Sequence, residues 1–183
     1  MIPIANDDGK KMEERDEAER FIDEYTRITG VPCTLVAVGE RPDFLCKKWG
    51  RRFGLELVRA MRHPAQHHWD VSLEDDELLH GLDAALLVQE TVLVKDNKRK
   101  SDGWCFPKST ILVIQMIGSD GDSLLNYLSE QLMDEMYESG FREIWIADYS
   151  PMEAYGEIQL IGIKPKRWRG LHRHVFHETK PYG

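Results

Sequence analysis

The chain has 183 residues, 42% hydrophobic and 31% charged, with a formal net charge of −8; this length favours one domain whose core needs no staples, and the negative balance argues against indiscriminate polyanion binding. Its three cysteines, Cys33, Cys46 and Cys105, are few, odd in number and far apart, which excludes a disulfide framework and a CxxC metal knuckle and suits reduced thiols in a cytoplasmic protein. No run of about 18 apolar residues marks a membrane span, and residues 1–8 lack the basic-then-apolar layout of a signal peptide.

Residues 1–11 read as a polar, mobile lead-in to a single α/β domain over 12–183. Ala18, Phe21, Ile22, Tyr25 and Ile28 recur at three- and four-residue steps, which predicts a helix over 12–29. Gly30 closes it, and Pro32 follows as expected just past a helix end. Residues 33–38 form a short strand.

The next stretch, 40–58, reads Glu-Arg-Pro-Asp-Phe-Leu-Cys-Lys-Lys-Trp-Gly-Arg-Arg-Phe-Gly-Leu-Glu-Leu-Val and predicts a β-hairpin turning at Trp49-Gly50. With a turn of two or four residues centred there, Asp43 lies opposite Glu56. Opposite residues of an antiparallel pair share a face with Cβ atoms about 5 Å apart. Phe44, Cys46, Phe53, Leu55 and Leu57 then fall on one face, and Asp43, Leu45, Gly54, Glu56 and Val58 on the other. A three-residue turn slips the pairing by one and separates the acids. Two carboxylates so close repel unless a cation lies between them, and oxygen donors suit a hard metal such as Mg²⁺. An edge hairpin with a solvated polar side is the competing arrangement.

Residues 61–75 look irregular. Their His63, His67 and His68, with Pro64 among them and His80 beyond, read as a capping or solvent-facing loop rather than a zinc site. A helix is predicted over 76–97 with Leu78, Leu79, Leu82, Ala85, Leu86, Val92 and Leu93 buried. The apolar run Thr-Ile-Leu-Val-Ile-Gln-Met-Ile within 108–117 suits a central strand covered on both sides. Ser119 to Ser123 read as a turn and helix cap, and a helix follows over 123–139, ended by Gly140. Strands at 143–148 and 157–163 complete the list, and Asp148 reads as a turn former.

Bases crowd 47–52, 95–100 and 164–173. The first two read as solvated surface. In the last, Lys164, Lys166, Arg167, Arg169 and Arg173 could neutralise phosphates while Trp168 stacks on a base. His172 and His174 alternate there, with His177 beyond, as in a terminal packed strand. Neither Gly-x-Gly-x-x-Gly, a P-loop lysine nor Gly-x-Ser-x-Gly occurs, so nucleotide-cofactor and serine-hydrolase chemistry have no support.

The order α-β-β-β-α-β-α-β-β predicts an α/β fold with a mixed sheet: an antiparallel meander for the first three strands, then a parallel return after the second long helix. This core, with Glu-Arg-Pro-Asp-Phe on its second strand and Gly-Leu-Glu-Leu-Val on its third, resembles the PD-(D/E)xK nuclease superfamily, the restriction-endonuclease-like fold, over residues 14–117. The resemblance implies that Asp43 and Glu56 hold Mg²⁺ (or Mn²⁺), with a further acid from the first helix, Glu14 or Glu17. The lysine normally two residues after the second acid is Val58 here. Some members carry it on the following helix, similar to Val92-x-x-Lys95-x-x-Lys98, which implies Lys95 and Lys98. Gln89, on the apolar side of that helix, is another candidate contributor. The implied activity is metal-dependent hydrolysis of phosphodiesters in nucleic acid, DNA first. The alternative is a catalytically inactive nuclease-fold protein that binds nucleic acid or another protein. The oligomeric state, a dimer among the options, is left open.

Overall fold

A computed structural model describes residues 7–60, 81–118 and 121–173. Its elements in chain order are α1 (Asp7–Thr29), β1 (Cys33–Val38), β2 (Phe44–Lys48), β3 (Arg51–Arg59), α2 (Gly81–Arg99), β4 (Thr110–Met116), α3 (Gly121–Tyr127), α4 (Glu130–Tyr137), β5 (Glu143–Asp148), α5 (Met152–Tyr155), β6 (Gln159–Lys164) and β7 (Gly170–His172). Short 3₁₀ turns at Pro107–Ser109 and Lys166–Trp168 precede β4 and β7. The seven strands form one mixed sheet in sequential order. The first three pair antiparallel, β4 and β5 join in parallel, and β6 and β7 return antiparallel.

Two cores sandwich this sheet. On one side the α1 stripe Ala18, Phe21, Ile22 and Tyr25 packs on Phe44, Cys46, Phe53, Leu55, Val113 and Trp145. On the other, α2, α3 and α4 cover Leu112, Ile114, Met116, Ile144 and Ile146. Every residue of β4 and β5 is buried, as the near-continuous apolar run at 110–117 predicts for a strand covered on both faces. α1 ends where Gly30 takes a φ of 69° and its N–H bonds the Thr26 carbonyl at 2.8 Å, a conformation that glycine adopts without a Cβ clash.

Several boundaries differ from expectation. The helix begins at Asp7 rather than near residue 12. The stretch 123–139 is two helices, because Ser129 turns extended (φ −61°, ψ 157°) and its hydroxyl accepts the Leu132 N–H, starting a new helix. On α2 the buried stripe is Gly81, Ala84, Ala85, Val88, Val92, Asp96 and Arg99, while Leu82, Leu86 and Leu93 are about half exposed. Small residues choose this face by close approach: a Cβ on Gly81 would stand 2.7 Å from the Ser123 carbonyl oxygen. The expected Leu78 and Leu79 lie outside the described residues, as do His63, His67, His68, His80, Ser119, Asp120, His174 and His177.

Candidate functional site

The β2–β3 hairpin has a two-residue turn at Trp49-Gly50, with φ of 46° and 73°. Positive φ at both central positions is the pattern of a type I′ turn, whose twist matches that of the flanking strands. Register follows from it: Lys48 faces Arg51, Leu45 faces Gly54, and Phe44 faces Leu55. One step further Asp43 meets Glu56. The predicted faces are also met. Phe44, Cys46, Phe53 and Leu55 lie in the α1-side core, and Val58 packs into the α2-side core. Gly54 leaves room for the Pro42 ring; a Cβ there would stand 2.8 Å from the Thr110 hydroxyl.

Each acid is oriented by the backbone of the other strand. The Asp43 N–H donates to Glu56 Oε2 at 3.2 Å, and the Leu57 N–H donates to Asp43 Oδ2 at 2.9 Å. From α2, Lys95 Nζ donates to Glu56 Oε1 at 2.6 Å. Val58 therefore does not leave the pair without an amine; the helix supplies one across the α2 side of the sheet. Burial and then the charge of Glu56 push the Asp43 carboxyl up to about 7. The Leu57 hydrogen bond and the Lys95 charge pull it the other way, and Glu14 adds a smaller upward push. Two carboxylates and one ammonium leave the site short of positive charge whenever both acids are ionised.

The remaining predicted residues divide. Glu14 is the α1 acid whose charge reaches Asp43. Glu17 does not join the pair. It accepts from Arg59 at 3.0 Å and Gln115 at 2.9 Å, on the α1 side, because Arg59 and Gln115 alternate in phase with Leu57 and Val113, which pack into the α1-side core. Gln115 also donates to the Tyr149 hydroxyl at 3.0 Å. In the sequence this Glu17–Arg59–Gln115–Tyr149 cluster has one visible signal, Gln115 as the polar break in an apolar run, and no local spacing links its members. Gln89 is not at the site: it donates to Glu135 of α4. It lies six residues, about 9 Å of helix rise, from Lys95. Lys98 is exposed and makes no ion pair with either acid.

The basic segment at 164–173 is largely committed within the protein. Lys164 Nζ donates to the carbonyls of Tyr137 (2.9 Å) and Ser139 (2.8 Å) at the end of α4. Arg169 and Lys166 approach Asp134 at 3.2 and 4.0 Å, and Arg173 pairs with Asp122 at 2.7 Å. Arg167 lies over the Trp168 ring, which is itself packed against the α1-side core. Asp148 turns the chain and caps α3, accepting from Gly121 and Ser150 at 2.9 Å.

Among the described residues no group of three His, Cys, Asp or Glu side chains gathers closely enough to hold a metal. The donor set at Asp43 and Glu56 fits Mg²⁺ or Mn²⁺ nonetheless. Mg²⁺ keeps several waters and takes one or two carboxylates plus substrate phosphates rather than an all-protein cage. No helix among the described residues is long and apolar enough to cross a membrane. Comparison of the chain with family models, with curated proteins and with solved structures gave no match in any of the three.

Proposed function

We propose that this chain is a divalent-metal-dependent nuclease of the PD-(D/E)xK type, hydrolysing phosphodiester bonds in nucleic acid, DNA first. The observation that carries the reading is the convergence of Asp43, Glu56 and Lys95 across three elements. The α-β-β-β-α-β order, with β4 parallel beside β3, agrees with it. Asp43 and Glu56 would hold the cation, with Glu14 the nearer acid on α1. When bound, such a cation polarises a phosphoryl oxygen and lowers the pKa of its coordinated water. Asp43 must shed its proton to serve, so activity is expected to rise with pH through about 7. Lys95 holds positive charge beside the pair, where negative charge on the phosphoryl group grows in the transition state.

The second reading is a catalytically inactive protein of the same fold. Val58 in the usual lysine position favours it, as does the direct closure of Glu56 by Lys95. One experiment separates the two: incubation of supercoiled plasmid, single-stranded DNA and RNA with Mg²⁺ or Mn²⁺. The nuclease reading expects cleavage that falls at least ~100-fold in Asp43→Ala and Glu56→Ala. No cleavage in any arm, with no Mn²⁺-induced thermal shift that Asp43→Asn removes, establishes the inactive reading.

A further inference from the structure

The far end of the same hairpin carries a second feature. Trp49 is 75% exposed at the tip and holds a φ of 46°. That left-handed conformation is the one for which Asn, Asp or Gly is preferred in a two-residue hairpin turn, and an aromatic residue there is strained. A side chain that strains the turn and buries little of itself is not retained by the fold. Lys47, Arg51 and Arg52 flank it along the hairpin. All three are exposed, and among the described residues none is drawn into an ion pair. The tip is nevertheless held in place. Lys48, pointing to the α1 side, donates to Glu143 at 2.7 Å and to the Tyr25 hydroxyl at 3.0 Å.

Register ties this tip to the acids. Lys47 faces Arg52 across the hairpin. With side chains alternating every residue, 47, 45 and 43 share a face with 52, 54 and 56. The two cations therefore lie on the same surface as Asp43 and Glu56, four residues away, or about 14 Å at ~3.4 Å per residue. Trp49 is about 20 Å away on the same scale. In a stacked strand, at ~3.4 Å per nucleotide, those spans are about four to six nucleotides.

We propose that the hairpin tip is a contact site for single-stranded nucleic acid. Trp49 stacks on an unpaired base while Lys47 and Arg52 neutralise the adjoining phosphates, with Arg51 adding positive charge at the tip. The Asp43–Glu56 pair lies about four to six nucleotides away along that face, beyond the Pro42 ring that covers Gly54. The assignment of a substrate strand, as opposed to a bound one, rests on the nuclease reading above. An aromatic face exposed at a narrow tip suits an unpaired base, because a paired base keeps its faces inside the stack. Stacking of this kind is tolerant of sequence, so little base preference is expected. An anionic membrane offers the same charge without a base to stack on.

The test is binding of fluorescein-labelled (dT)20, a 20-base-pair duplex and phosphatidylserine vesicles, in EDTA, over a range of salt. The single strand is expected to bind more tightly than the duplex. Trp49→Ala should weaken it at least ~5-fold, the lower end for one base–aromatic stack. Lys47→Glu with Arg52→Glu should weaken it further and reduce the log–log salt slope by about 1.4, at ~0.7 per phosphate contact. Trp49→Asn separates fold from function: it relieves the turn and raises the melting temperature by ~2–4 °C, yet binds as poorly as Trp49→Ala. Equal affinity of all these variants and the parent overturns the proposal, as does absence of binding to (dT)20 at low salt, a preference for duplex unaffected by Trp49→Ala, or binding to vesicles alone. Tip-dependent binding without cleavage leaves the tip standing and removes the nuclease; cleavage indifferent to Trp49→Ala does the reverse.

Discussion

Two glutamates of this sheet form lysine pairs that look alike but stand in different surroundings. Lys95–Glu56 closes at 2.6 Å with side chains 18% and 6% exposed, and Lys48–Glu143 at 2.7 Å with 21% and 6%. Around Glu143 the other donors are neutral. Tyr25 donates its hydroxyl to Oε1 at 3.1 Å and Trp145 its indole N–H to Oε2 at 3.0 Å. Burial and then Glu143 raise the Tyr25 phenol, keeping it a donor. One buried charge thus meets one opposite charge and a full set of hydrogen bonds, the condition under which a buried ion pair is tolerated. Around Glu56 the neighbour is a second acid. Equal distances and burial therefore say little about role; the charge count of the surroundings separates a pair whose charge is balanced from one beside a second acid.

The largest effect that tests this contrast is removal of each lysine. Lys48→Met strands a buried carboxylate and is expected to cost ~3–5 kcal/mol, seen as a lower denaturation midpoint. Lys95→Met is expected to cost as much at pH 8 but clearly less at pH 5, where Asp43 is protonated and no longer adds a second negative charge. Equal losses at both pH values would erase the distinction.

Next in size is the pH dependence of the parent. Asp43 rises from its ordinary value of 3.8 to about 7 on folding. Between those values the native state holds a proton that the unfolded chain has released. Stability is therefore expected to decline as pH rises from about 4 to about 7 and then level off, by a few kcal/mol at most. Asp43→Asn keeps the acceptor for the Leu57 N–H and removes the charge, so its melting temperature should exceed that of the parent at pH 8 and lose this slope. A parent curve that climbs over that range refutes the assignment.

On the proposed metal site, a bound cation would supply positive charge beside the two acids in another way. Mn²⁺ at about 100 times its Kd should stabilise by ~2.7 kcal/mol, more at pH 8 than at pH 6 because the metal competes with the Asp43 proton. Asp43→Asn should abolish the shift, while Glu143→Gln, though less stable, should retain it. The smallest effect belongs to Glu14→Gln, which should move the Asp43 titration downward by less than about one pH unit, read by NMR of the carboxyl carbon.

Much of this was legible before any coordinates. The period of two in residues 43–58 sorted the hairpin faces, and the position of Trp49-Gly50 set the register that pairs Asp43 with Glu56. The α1 stripe and the doubly buried 110–117 strand were equally plain, because local periodicity carries them. The buried face of α2 was misread because leucines outweighed alanines in the pattern, whereas close packing against α3 favours the small residues. Gln89 went wrong with it, since a rotated helix aims it at Glu135. The basic run at 164–173 looked free because its partners Asp134 and Asp122 come from α4 and α3.

By itself, then, the chain's pattern of apolar, turn-forming and acidic residues determined the element order, the hairpin register and the meeting of two carboxylates, since all three follow from short-range spacing. Which amine reaches them, which basic segment stays open to solvent and which glutamate of α1 stands near were decided by the tertiary structure. Those are questions of helix rotation and of charges brought together from distant positions, and no local period encodes them.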